Sequence, residues 1–316
     1  MDKSIVEALQ VRFVKLQFTV EFPEDSVLPR DKVSAIRGGM GEMLLRMNCV
    51  RNRKCEQCDF ESACIVQKIM YSKFAKKPEF VTTGGSVGYV LECQNSQEIF
   101  KEGDKLRFYV ILFGNTIIYF NQIYQALSIL AEEGIGKNHA RFRIIDIRNL
   151  EGLSVLDGKM ISMNNYVVHR LYDYLVFRTM KVDDIFHKKE AVMIFDTPAA
   201  LKYQNEFLTN FQIDAIISAI RRRIYMLDCF EGIESNILES SENDAKLRVR
   251  SQECHSVSVA RYSTRKDQKI YLRGIKGHLI LEGLTEELWA LLLTGELIHI
   301  GKNTSFGFGR YHLKLL

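Results

Sequence analysis

At 316 residues the chain is long for one compact core and comfortable for two, and its 47% hydrophobic and 26% charged residues describe an ordinary globular protein. A formal charge of +4, from 43 basic against 39 acidic residues, is too small to hold a polyanion unless cations cluster locally. There is no apolar run long enough for a membrane span and no signal-peptide core after Met1-Asp2-Lys3-Ser4, and the seven cysteines are an odd count, so a cytoplasmic, reducing setting is expected.

Residues 9–22 carry Val11, Phe13, Val14, Leu16, Phe18, Val20 and Phe22, a strand pattern. Pro29 and Asp31 open a helix in which Val33, Ile36, Met40, Met43, Leu44 and Met47 recur at helical spacing. Gly38, Gly39 and Gly41 each weaken that helix by about 1 kcal/mol against Ala, which points to close approach by a neighbouring element or a ligand. A charged, cysteine-bearing insertion fills 49–78. Strands are expected at 86–93 and 105–113, a helix at 116–132, then Gly134-Ile135-Gly136-Lys137-Asn138-His139 and a strand over 140–145. Strand, helix, two strands, helix, strand is the ferredoxin-like plan. Residues 1–150 therefore form the first domain, and 151–188 a connector without clear period.

The plan recurs over 189–316. A strand runs from Ala191 to Phe195. A helix spans about 210–229 with Ile213, Ile216, Ile217, Ile220, Ile224 and Leu227 on one face. Strands are expected at 254–263, 268–273 and 277–282, then a helix capped by Thr285 and ending near Leu293. The chain closes on His299-Ile300-Gly301-Lys302-Asn303-Thr304-Ser305-Phe306-Gly307-Phe308-Gly309-Arg310 and a last strand. The expected architecture is α+β, with tandem ferredoxin-like (RRM-like) domains and a C-terminal glycine-rich loop.

Three local patterns carry chemistry. In the terminal loop, Gly301, Gly307 and Gly309 allow close approach to exposed amides, and Lys302, Asn303 and Arg310 add polar and cationic groups, a combination suited to phosphate. Arg261, Arg265, Lys266 and Lys269 crowd one expected hairpin, with Arg248 and Arg250 ahead of it and Tyr262 and Tyr271 interleaved. Guanidinium forks bind phosphate bidentately and tyrosines stack on bases. Arg221-Arg222-Arg223 is a weaker patch on the second-domain helix, which Asp214 does not offset. Cys49, Cys55, Cys58 and Cys64 fall within sixteen residues. Such thiol density is compatible with a structural zinc, with an iron–sulfur cluster, or with free or labile cysteines.

The terminal loop resembles that of the RAMP superfamily, RNA-binding proteins of CRISPR systems. The chain as a whole resembles the CRISPR-associated repeat-processing endoribonucleases, family six of the CRISPR-associated proteins, in the subgroup with a cysteine cluster in the first domain. Four segments carry the likeness: Ile36-Arg37-Gly38-Gly39-Met40-Gly41; the cysteines ending in Cys64, with Tyr71 and Phe74; Arg261-Tyr262-Ser263-Thr264-Arg265 with Gly274-Ile275-Lys276-Gly277 and Glu282-Gly283; and Gly301–Gly309.

The resemblance implies cleavage of precursor CRISPR RNA within its repeats by the ribose 2′-OH, giving a 2′,3′-cyclic phosphate, with no cofactor for catalysis. It implies CRISPR repeat RNA as a partner, along with CRISPR effector or adaptation proteins, and no membrane. The alternatives are a non-catalytic RAMP subunit that holds guide RNA, and a zinc-stapled scaffold for effector proteins. Family members commonly place a functional His on or just after the first helix, but residues 31–47 contain none. Imidazole is the natural proton shuttle near neutral pH. His139, in the first-domain glycine turn, is the first candidate and His255 the second, with Tyr262 as a phosphate-orienting group. Arg37, Arg248, Arg250, Arg261, Arg265, Lys266, Lys269, Gly301, Lys302, Asn303, Gly307, Gly309 and Arg310 are the RNA-binding candidates.

Overall fold

The computed structural model describes residues 7–71, 74, 77–81, 87–158, 160–180, 185–239, 241–263 and 268–316, with the side chains of Tyr262 and Ser263 outside that description. The chain divides into two compact units. The N-terminal unit is Phe13–Val168 with Arg261–Lys269, and the C-terminal unit is Met1–Arg12, His169–Ala260 and Ile270–Leu316. The segment read as a connector is thus shared between them. Residues up to 168 join the first unit, and the rest, including helix α4 (Leu171–Thr179), joins the second.

In the N-terminal unit, strand β1 (Arg12–Glu21) alternates strictly enough to bury Val14, Leu16, Phe18 and Val20 on one face. Helix α1 (Lys32–Asn48), the short α2 (Ile65–Met70), strands β2 (Tyr89–Glu92) and β3 (Lys105–Phe113), helix α3 (Phe120–Glu133) and strand β4 (Arg143–Arg148) follow. The sheet order is β2-β3-β1-β4 with every pairing antiparallel. That order and the two helices make the ferredoxin-like topology. Phe18 lies opposite Phe108, their rings stacked at 5.1 Å. Ile36, Met40 and Leu44 of α1 and Ile123, Leu127 and Leu130 of α3 share the same core.

The close approach expected at the α1 glycines is made by side chains of this unit. A Cβ at Gly39 would run into the Leu130 side chain, and one at Gly41 would lie 2.8 Å from the Met70 methyl group, whereas Gly38 faces open space. Two of the three glycines therefore allow α3 and α2 to close on α1.

In the C-terminal unit, strand β5 (Glu190–Ala199) precedes a small hairpin, β6 (Lys202–Tyr203) and β7 (Glu206–Phe207), and helix α5 (Ile213–Glu231). The long strands β8 (Arg248–Ser263) and β9 (Gln268–Glu282), helix α6 (Glu286–Ile298) and strand β10 (Tyr311–Leu315) complete it. The sheet order is β8-β9-β5-β10, the same plan again. Ala191, Met193 and Phe195 of β5 are buried, as are Ile216, Ile220, Ile224 and Leu227 of α5, and Phe195 stacks on Phe211 at 4.5 Å.

Several boundaries differ from the sequence expectation. The strands read as 268–273 and 277–282 are one continuous β9, and β8 begins at Arg248. Gly274 and Gly277 do not break β9 but let neighbouring backbone come close. Added Cβ atoms there would sit 3.0 Å from the Ala199 oxygen and 2.7 Å from the Cys254 Cα, beside a register shift in β5. Helix α6, capped by the Thr285 hydroxyl accepting from the Leu288 N–H, runs past Leu293 to Ile298 because it is buried nearly all round.

Candidate nucleic-acid interface

The C-terminal loop begins where α6 ends at His299, whose φ of 57° reverses the chain. His299 is wholly buried, and its Nδ1 lies 3.0 Å from the Phe308 carbonyl. A carbonyl only accepts, so Nδ1 carries the proton. The bare amides expected in this loop are largely used by the unit itself. Lys302 N–H donates to the Ala200 oxygen at 2.9 Å, Gly307 N–H to Thr304 at 2.8 Å, Gly309 N–H to Pro198 at 2.9 Å, and Arg310 N–H to the Thr197 hydroxyl at 2.9 Å.

The loop glycines answer to the same packing. At Gly301 (φ 83°) a Cβ would sit 2.6 Å from the Ala200 oxygen, and at Gly309 (φ 72°) it would collide with the Ile300 carbonyl. Asn303 and Gly307 are also left-handed, at 64° and 78°. Lys302 remains exposed. Arg310 is half-buried, with Nε 3.7 Å from Asp196, and Asp196 also bonds His312.

Phe306 and Phe308 of the loop pack with Ala200, Val257, Val259 and Leu272, which ties the loop to the β8–β9 hairpin. Strand alternation then sorts the hairpin. His255 and Arg261 share the β8 face of Val257 and Val259. Lys269, Tyr271 and Arg273 lie on the β9 face opposite Leu272, and all three are exposed, Tyr271 by 59%. The cations grouped by sequence as one hairpin patch are thus split between faces. Arg273 escaped the sequence reading, although the period-two run Lys269, Tyr271, Arg273 was there to find. Arg250 is not a free cation, since its guanidinium bridges Glu190 at 3.2 Å and Glu282 at 3.4 Å. Arg248 and His255 are exposed. Arg265, Lys266 and the Tyr262 side chain lie outside the described residues.

Arg221 and Arg223 depart further from the expected cationic patch. Both are buried on α5. Arg221 is offset by Asp244 at 2.9 Å and Glu287 at 3.4 Å and also donates to the Glu239 carbonyl, while Arg223 donates to the Ile298 carbonyl. They anchor the unit and present no patch.

In the N-terminal unit, half-buried Arg37 lies on α1 next to Gly38, where an added Cβ would meet open space. Arg261 is assigned to the same unit, and its guanidinium ionises less readily than usual, first because it is partly buried and then because of the like charge of Arg37. Two cations held near one another suit a shared anion. The turn after α3 passes through Gly134 (φ 90°) and Gly136 (φ 74°), closes with the bridge Ile135 to Ala140, and ends at exposed His139 with φ 48°. A Cβ at Gly136 would lie 3.6 Å from Pro29, so the turn sits beside the chain that leads into α1. His139 Nδ1 lies 3.2 Å from the Glu133 carbonyl. The carbonyl only accepts, so Nδ1 is the donor of this contact, and Nε2 is the ring nitrogen left without that partner on an exposed side chain.

Cys49, Cys55, Cys58 and Cys64 line one groove of about 1110 Å³ in this unit. N–H groups of Arg53 and Arg51 hold the Cys49 thiol below its ordinary range. A zinc or iron–sulfur site needs the sulfurs to converge on one point. Among the described residues no group of three or more His, Cys, Asp or Glu side chains is placed to hold a metal ion.

Residues 9–169, just over half of the chain, match the family model AF_1859_N, an N-terminal domain, and residues 193–311 match the model for the CRISPR-associated endoribonuclease Cas6. No curated protein matches the chain. Among solved structures, a partial Cas6–RT–Cas1–Cas2 complex is similar over 98% of this chain, at 12% identity and a TM-score of 0.58. The chain spans 47% of the length of that relative, and 30% of the corresponding chain in the Cas6–RT–Cas1–Cas2 complex. A Cas6 product complex is similar over 96% of this chain and 100% of its own, at 13% identity and a TM-score of 0.55. Thermus thermophilus Cas6 covers 96% and 99%, at 11% and 0.52. At such identities the likeness establishes the fold. No helix among the described residues is long and apolar enough to cross a membrane. The tandem ferredoxin-like topology agrees with these matches: the chain belongs to the family of the AF_1859_N N-terminal domain, which matches more than half of it, and its residues 193–311 match the CRISPR-associated endoribonuclease Cas6 model.

Proposed function

We propose that this chain cleaves precursor CRISPR RNA within its repeats by attack of a ribose 2′-OH on the adjacent phosphorus, without a metal ion. The O5′–P bond breaks, O5′ takes a proton from water, and a 2′,3′-cyclic phosphate remains on the upstream fragment. The observation that carries the catalytic part is His139. Its Nδ1–H is fixed on the Glu133 carbonyl, so Nε2 is the nitrogen left to accept the 2′-OH proton. The turn that holds it lies beside Pro29, ahead of α1, and so supplies from elsewhere in the sequence the imidazole that α1 lacks. RNA brings its own nucleophile, and the protein contributes position and charge.

Arg37 and Arg261 are the pair proposed to hold the charge of the five-coordinate phosphorus. Lys302, Arg248 and the Lys269–Tyr271–Arg273 face are proposed to bind the rest of the RNA. Proteins of CRISPR adaptation are the partners in keeping with the Cas6–RT–Cas1–Cas2 relatives. The test is incubation of the full chain with repeat RNA in excess EDTA. One cut ending in a cyclic phosphate is expected, and it should vanish when the ribose at the cut carries 2′-deoxy. Cutting that survives the 2′-deoxy substitution contradicts the mechanism. Binding without cutting returns the chain to the role of a guide-holding subunit.

A further inference from the structure

The small β6–β7 hairpin belongs to neither glycine turn nor the long hairpin, and the sequence reading passed over it. It pairs Lys202 with Phe207 and Tyr203 with Glu206. Its two turn residues, Gln204 at φ 46° and Asn205 at φ 68°, are both left-handed, as in the tight turns that match strand twist. The hairpin is tied at its base. Leu208 N–H donates to the Leu201 oxygen at 3.0 Å, Arg222 reaches the Lys202 carbonyl at 3.5 Å, and Lys302 N–H bonds Ala200 just before it. On this stiff support Phe207 is 60% exposed. The Lys302 ammonium stands 5.4 Å from the centre of its ring.

We infer that Phe207 and Lys302 form a nucleotide platform, on which an unpaired base of the bound RNA stacks against the ring while the ammonium meets its phosphate. This rests on the RNA-processing reading above. The ring offers a base an apolar face in place of water, and the cation beside it matches the charge that every nucleotide carries. Around them Lys202 and Arg222 add two positive charges against the one negative charge of Glu206. Bases within a duplex are already stacked on each other, so the occupant is a single-stranded nucleotide flanking the repeat stem. A lone ring of this size is a poor anchor for a protein partner, whose contacts centre on larger apolar clusters.

The test compares affinities of the full chain for a repeat stem with its single-stranded flanks and for the same stem trimmed of them. Phe207→Ala is expected to weaken the flanked RNA by about 5- to 100-fold and to leave the trimmed stem within about twofold. Phe207→Trp should keep the affinity and show indole emission quenched by the flanked RNA, against a native Trp289 that is wholly buried. Lys302→Ala should lower the salt slope for the flanked RNA by about 0.7. If Phe207→Ala binds flanked RNA as the unaltered chain does, while that chain still cuts repeats, the platform is wrong and the functional reading stands. If the unaltered chain has no affinity for repeat RNA, both fall.

Discussion

After α3 in the N-terminal unit and after α6 in the C-terminal unit, the chain makes a glycine turn that leads into the last strand of a ferredoxin-like repeat, and each turn carries a histidine with positive φ. In the first, His139 is exposed, and its one fixed nitrogen leaves the other for solvent or substrate. In the second, His299 is buried, the amides of Lys302, Gly307 and Gly309 are bonded within the unit, and two glycines are required by backbone that crosses directly beneath them. Glycine-rich composition therefore does not distinguish a nest for phosphate from a tight crossing of the protein's own strands. The amides of Gly134, Ile135, His139 and Ala140 in the first turn are bonded within the unit as well, so what separates the two turns is the exposure of the histidine.

The contrast can be broken by substitution. Gly309→Ala places a Cβ on the Ile300 carbonyl at a φ of 72°, with rigid backbone on both sides. A loss of about 3 kcal/mol or more is expected. Gly136→Ala has a similar φ of 74° but meets only the Pro29 ring, at 3.6 Å. It should cost about 1–2 kcal/mol, the price of the left-handed region alone. Denaturant midpoints of the two variants measure the difference, and equal losses would mean that the two turns are packed alike.

The histidines should separate in the same way, with smaller effects. His299→Ala removes a buried ring and its 3.0 Å bond to Phe308 and should destabilise the chain by about 1–3 kcal/mol. His139→Ala, at an exposed position, should change stability by no more than about 0.5 kcal/mol. A large loss of stability at His139 would make it a structural residue and remove it from the chemistry.

Much of the fold was legible because its elements carry clean periods. Alternation in β1 and the one-sided stripes of α3 and α5 place these elements within a few residues of where they lie. Strand order could then be inferred from the repeated β-α-β-β-α-β run. Helix α6 resisted because an apolar surface all round has no period to show where it ends. Strand β9 resisted because Gly274 and Gly277 read as turn residues, whereas they serve crowded neighbouring backbone.

The site was less legible, since it depends on partners distant in sequence. Arg250 is tied to Glu190, sixty residues away, and Arg221 to Glu287, sixty-six away. Arg37 and Arg261 were each marked as cations, but nothing in their spacing says that the charge of Arg37 reaches Arg261. Phe207 went unnoticed because a single aromatic in a short polar hairpin has no pattern around it.

The central claim is that the exposed histidine turn of the N-terminal unit performs the chemistry. Single-turnover cleavage of one repeat RNA in EDTA, by the unaltered chain and by His139→Ala, tests it most directly. A rate lower by about 10²–10⁴ with RNA affinity unchanged is the expected result. Cleavage at the unaltered rate would contradict the account and transfer the role to exposed His255.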